Sequence, residues 1–202
     1  MSTEHILGIT AGALSLIAYV WYNVSIIKGE TRPNKATWWI LTLVGFLILM
    51  SYYQGGARES IWVPLAYVLG PLIIAILSLK YGEGHWTAFD KSCLVGALIG
   101  ALLWWVFDSP LLGLLISMFI DLLGLLPTIM KSYLRPESEN RTAWVMEAAS
   151  SILNIFAVKI WVFSIWVYPV YLATLNLLIA ILLITGHKKN RDKQPAKEMS
   201  LS

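Results

Sequence analysis

Cysteine, charge and histidine are all scarce in this chain. Cys93 is the only cysteine among 202 residues, so neither a disulfide framework nor a Cys-x-x-Cys metal motif is available. Charged residues make up 13%, against about 25% in an ordinary soluble domain. That excludes the dense basic surface of most nucleic-acid binders and the charge-rich composition of a disordered chain. His5, His85 and His187 are scattered over the termini and one loop, so no metal site forms on one helix, and no metal or other cofactor is expected. Neither glycine-rich phosphate loop, Gly-x-x-x-x-Gly-Lys-Ser/Thr or Gly-x-Gly-x-x-Gly, occurs, and His-Glu-x-x-His is also missing. No Ser-His-Asp set falls within one leaflet, so the chain does not read as an enzyme. The run 165–185 has no Lys for a Schiff base, which argues against a retinal protein.

The chain has an excess of apolar surface. Hydrophobic residues reach 57% and the mean hydropathy is +0.67, more than one soluble core of this size can hide. A spanning helix needs about 20 mostly apolar residues. Seven runs approach or meet that length, at 6–27, 36–53, 61–79, 92–107, 111–130, 142–158 and 165–185. The fold class expected is all-α, a polytopic membrane protein with seven transmembrane helices. Glu4 and His5 precede the first run, where a signal peptide would be basic, so it reads as a retained helix. The polar stretch 187–202 reads as a disordered tail.

The few charges are sorted by side. With seven crossings, the loops 28–35, 80–91 and 131–141 share a side with the C-terminal tail and carry thirteen Lys and Arg, against Arg58 and Lys159 opposite. The positive-inside rule then places the N-terminus outside and the C-terminus in the cytoplasm, in the inner (plasma) membrane.

An internal repeat organises the runs. Lys28, Arg32 and Pro33 recur as Lys131, Arg135 and Pro136 at an offset of 103 residues. Ile61-Trp62-Val63 with Tyr67 recurs as Ile165-Trp166-Val167 with Tyr171, at an offset of 104. A Trp follows each basic loop, Trp38 and Trp144. The expected layout is a first triple-helix repeat (1–80), a linker helix (81–109), a second triple-helix repeat (110–186) and the tail. An odd number of connecting helices makes the repeats parallel, and such repeats place a substrate site near the midplane between them. The linker contains Gly96-Ala97-Leu98-Ile99-Gly100, which either admits a close helix neighbour or is ordinary glycine content.

This three-plus-one-plus-three layout, with its matched loops, resembles the SWEET and PQ-loop superfamily of sugar facilitators, lysosomal amino-acid exporters and the KDEL receptor. Bacterial members sharing Thr-Arg-Pro and Pro-Thr-x-x-Lys-Ser-Tyr segments are similar too, but bring no activity with them. The namesake motif puts Pro-Gln before a basic residue at the ends of helices one and five. Here Pro127-Thr128-Ile129-Met130-Lys131 has Thr in place of Gln, and Val24-Ser25-Ile26-Ile27-Lys28 has neither. The resemblance implies a sugar-contacting Asn in helix seven, the place of Asn176, whereas its partner in helix three falls at Pro71 or Leu72. It also implies a proton-coupling Asp in helix five, near Asp121, and a hinge proline at Pro127.

The residues themselves point to the same positions. Asp121 lies mid-run in helix five, where a charge costs at least about 2.5–3.5 kcal/mol on insertion scales. It reads either as a carboxyl that binds and releases a proton or as a neutral hydrogen-bond donor between helices. Glu147 reads as a carboxylate near a helix N-terminus. Asn176 and Asn154, deep in helices seven and six, are candidate substrate ligands, as are the repeat-related Tyr67 and Tyr171. Pro71 and Pro127 are candidate hinges. Trp38, Trp39, Trp62, Trp104, Trp105, Trp161 and Trp166 read as an interfacial belt. The function expected is a transporter moving a small polar metabolite, of the sugar or amino-acid class, by alternating access, with proton coupling as an option. The alternative is a non-transporting receptor or assembly protein on the same fold. Expected partners are membrane lipid and the metabolite but no nucleic acid, and self-association into a homo-oligomer stays open.

Overall fold

The computed structural model of the protein describes residues 2–82, 88–107 and 109–199. These residues are all-helical, without a strand among them. The helices are α1 (Thr3–Ile27), α2 (Lys35–Gln54), α3 (Trp62–Tyr81), α4 (Ala88–Phe107), α5 (Pro110–Leu134), α6 (Arg141–Phe156) and α7 (Phe163–Met199), with a short 3-10 turn at Pro136–Ser138. Every helix begins within about a turn of its apolar run. α7 departs at the other end, since its backbone stays helical over 187–199 where polar composition suggests disorder. Lys, Arg, Gln, Ala and Glu are good helix formers, and extending a helix avoids the cost of nucleating one.

Among the described residues, five helices are long and apolar enough to cross a membrane: α1, α2, α3, α5 and α7 as far as Gly186. α6 has 16 residues, about 24 Å at 1.5 Å per residue and short of a hydrocarbon core of about 30 Å. Large apolar side chains crowd the outer surface, among them Ile17, Val20 and Ile27 of α1, Ile76 and Leu79 of α3, and Phe119 of α5. Polar side chains are turned inward instead, including Ser15, Ser78, Asp121, Glu147, Ser151 and Asn154. Apolar outside and polar inside is consistent with an integral membrane protein.

Local chemistry sets the helix starts. Ser2, Asn34, Ser109 and Asn140 each accept a bond from the backbone N–H three residues on, at 3.3, 3.1, 3.4 and 2.9 Å. Such caps satisfy one of the unpaired donors at a helix N-terminus. Pro110 adds a first-turn proline to α5. Asn34 and Asn140 fix a first turn that puts Trp38 and Trp144 four residues inside α2 and α6. Gly29, at φ 77°, takes the left-handed turn that ends α1.

The helices pack in a definite order. α3 lies against both α1 and α2, and α7 against both α5 and α6. The two groups meet where α1 packs on α6 and α2 on α5, while α4 lies on α5 and α2. The basic loops gather at one end, where Lys131 Nζ donates to the Arg32 carbonyl at 2.8 Å and Gly186 packs on Pro136. At the other end Lys159 pairs with Glu59 at 3.6 Å.

Close approach of helices depends on α1. A Cβ on Gly8 would fall 1.8 Å from the Glu59 carbonyl oxygen, and one on Gly12 2.6 Å from Trp62 Cβ. Gly8-Ile9-Thr10-Ala11-Gly12 is therefore the small-residue seam that seats α1 against the start of α3. A Cβ on Gly96 would meet nothing nearer than 4.0 Å, so the Gly96 position in the linker needs no glycine for packing. Gly8→Ala and Gly12→Ala should each lower the thermal midpoint of the detergent-solubilised protein, at a cost of about 1–3 kcal/mol as in other overpacked sites. Gly96→Ala should leave it unchanged or raise it slightly.

Candidate functional site

Asp121 sits fully buried in α5, between α3 and α7. Tyr67 of α3 donates its hydroxyl to Oδ1 at 2.7 Å, and Tyr171 of α7 lies 2.7 Å from Oδ2. The two tyrosines that recur at an offset of 104 residues thus converge on one carboxyl. The Tyr171 hydroxyl also lies 2.8 Å from the Met118 carbonyl. It has one proton for two acceptors. A proton on Asp121 completes the set, because the acid can donate to Tyr171 while Tyr171 donates to Met118.

Next to this clamp is a narrow cavity, partly open to solvent, with room for about one or two water molecules. All six helices other than α4 line it. α1 contributes Ala18, Tyr19 and Tyr22; α2 Trp38 and Leu41; α3 Tyr67; α5 Leu125; α6 Ala143, Trp144 and Glu147; and α7 Asn176. Glu147 is buried on its wall, bonded to Ser15 of α1 at 2.9 and 3.0 Å from its two oxygens. Asn176 donates to Ser151 Oγ at 2.7 Å, which orients its amide. Tyr22 and Trp38 pack with ring centroids 5.2 Å apart.

Both ends of the bundle are tied across the two helix groups. Towards the basic loops, buried Glu139 accepts from Tyr22 at 3.0 Å and from the Trp144 indole at 3.2 Å, and pairs with Lys131 at 3.2 Å. This cluster joins α1, α5 and α6 beside two cavity-lining aromatics. Towards the other end, Tyr52 of α2 donates to the Ile165 carbonyl at 2.9 Å and shares a bond with Ser60 at 2.7 Å. Its ring lies 5.4 Å from that of Tyr168.

The structure brings together some of the residues singled out from sequence and separates others. Asn176 and Tyr67 line the cavity. Asp121 and Tyr171 lie behind its wall, joined to it through Tyr67. Asn154 is buried in α6 away from the lining, with neither amide atom hydrogen-bonded. Pro71 is buried inside α3. The side chain of Pro127 lies outside the described residues, and α5 is helical through that position. Trp38 is not part of an interfacial belt: it is buried and faces the cavity. Glu147, read as a helix-end carboxylate, bonds across to α1. Tyr19, Tyr22 and Trp144 carry no site role in the sequence reading. The signal that could have found them is a polar stripe at helical spacing: Ser15, Tyr19 and Tyr22 in α1, and Glu147, Ser150, Ser151 and Asn154 in α6.

No protein-family model, curated protein or solved structure matches the chain, so the site is interpreted from its own geometry. The site thus offers an aromatic wall, one carboxylate and one oriented amide, with the Asp121–tyrosine cluster behind it. Tyr67→Phe and Tyr171→Phe should each lower stability by about 1–2 kcal/mol, as expected for one lost buried hydrogen bond. The double variant should be non-additive, because both bonds end on Asp121; thermal unfolding of the four proteins measures it. Asn154→Leu, which removes two unpaired amide atoms, should cost less than about 1 kcal/mol or stabilise.

Proposed function

We propose that the protein is a small-molecule membrane transporter of the SWEET and PQ-loop type. It moves a small polar metabolite, of the sugar or amino-acid class, by alternating access between two parallel three-helix units. All seven helices cross the inner membrane in this reading, with the N-terminus outside and the C-terminus in the cytoplasm. The short α6 is accommodated by local thinning of the bilayer and by its flanking residues.

The observation that carries the proposal is the cavity enclosed by α1, α2, α3, α5, α6 and α7. The packing order supports it. Exchanging α1 with α5, α2 with α6 and α3 with α7 maps the contacts among these six helices onto themselves, including α1–α6 onto α5–α2, while α4, on α5 and α2, has no counterpart. Units related in this way can rock about the site between them. The ties at the two ends lie where such rocking must make and break contacts: Glu139 with Lys131 at one, Tyr52 with Ile165 at the other. Substrate enters when one tie opens and leaves when the other does. Pro71 and Pro127 serve as hinges, since proline frees a backbone carbonyl within a helix.

Asp121 is the proton-coupling group in this scheme. Its bonds to α3 and α7 join one helix of each unit, so gaining or losing a proton changes a contact between the moving parts. Reconstituted into liposomes, the protein should take up labelled sugars or amino acids faster than empty vesicles do. An imposed proton gradient should drive that uptake in the wild type, and Asp121→Asn should abolish the gradient dependence. Ligand binding without flux would instead indicate a receptor on the same fold.

A further inference from the structure

The two buried carboxyls are provided for differently. Each oxygen of Asp121 has its own tyrosine hydroxyl at 2.7 Å, and the residue does not line the cavity. Glu147 does line it, and its carboxylate has a single side-chain donor among the described residues, the Ser15 hydroxyl. One hydroxyl supplies one proton, whereas a carboxylate offers about four lone-pair sites. A buried carboxylate left this short of partners is costly unless a positive charge or a proton joins it.

No such charge comes from the cavity wall. The described lining residues include no Lys, Arg or His. At the basic end of the bundle, Lys131 is engaged by Glu139 and the Arg32 carbonyl. A bare metal ion is a poor match, because no group of three or more acidic, His or Cys side chains converges among the described residues. The walls are instead aromatic: Tyr19, Tyr22, Trp38, Tyr67 and Trp144. Aromatic rings beside a carboxylate suit an ammonium group, which is attracted to the ring quadrupole and to the acid. An anionic ligand would meet Glu147 with no cation to offset it.

We propose that the cavity selects organic cations, seating an ammonium group against Glu147 within the enclosure of Tyr19, Tyr22, Trp38 and Trp144. Choline and ethanolamine represent the class, and the cavity has to widen to admit either one. The proposal narrows the metabolite of the transporter reading, and it rests on that reading only for the steps after binding.

The test is calorimetric titration of the purified full chain in detergent with choline, with ethanolamine, and with 3,3-dimethylbutan-1-ol, the neutral carbon isostere of choline. At least one of the two cations should bind at least tenfold tighter than the neutral alcohol. Glu147→Gln should remove that preference while leaving a group that Ser15 can still meet. Trp38→Leu, on a different helix, should weaken the cation several-fold and the alcohol little, which keeps the proposal testable if Glu147→Gln fails to fold. Equal binding of cation and isostere, a preference that survives Glu147→Gln in folded protein, or no binding by either cation would overturn it. Counterflow in liposomes separates the two readings. A cation that binds but is not carried overturns transport alone, whereas flux of a neutral sugar without cation preference overturns only the cation selectivity.

Discussion

A carboxyl in the middle of an apolar bundle has to find its own solvation, and Asp121 finds it in two tyrosines. Each comes from a different group of helices, Tyr67 from α3 and Tyr171 from α7. The bonds therefore fasten the bundle at the depth where the cavity lies. They also fix the Tyr67 ring as part of the cavity wall.

The polar interior works by division of labour. Ser150 bonds to the Ala11 carbonyl at 2.8 Å and, with the Ser15–Glu147 bond, holds α1 on α6. Glycine removes bulk where α1 meets the start of α3. The ion pair and aromatic contacts around Glu139 gather at one end, and the Tyr52 bonds at the other. Between them the cavity keeps one acid incompletely partnered. A membrane protein built only for stability would have no reason to retain Glu147 there, since an apolar side chain of similar size would avoid its desolvation.

Helix positions were legible in the sequence because apolar runs are bounded by Ser, Asn, Gly and Arg-Pro, whose local chemistry acts independently of tertiary packing. The recurrence of Ile-Trp-Val with Tyr marked Tyr67 and Tyr171 as a pair, and they do share a partner. Neighbours were not legible. Periodicity identifies the face a residue occupies but not what stands opposite it. Glu147 therefore resembled a helix-end carboxylate although it faces α1 and the cavity, and Trp38 resembled a belt residue although it is buried. The Gly96–Gly100 spacing drew attention ahead of Gly8–Gly12 for the same reason, since both satisfy the pattern and only packing tells them apart. The shortness of α6 was legible, since its apolar run at 142–158 is itself short and the helix ends at Phe156, close to the end of that run.

The tyrosine clamp has one more consequence, which concerns chain connectivity. At the 103-residue offset that relates Lys28 to Lys131, the counterpart of Asp121 is Ala18, a buried small residue on the cavity wall. Two tyrosines thus share one acid. A dimer of identical half-length chains could not arrange this, because symmetry would duplicate the acid and bring two carboxyls together or remove both. A single chain can let one half carry the acid and the other leave room for it. Covalent fusion is what allows an odd number of acids in a nearly even framework.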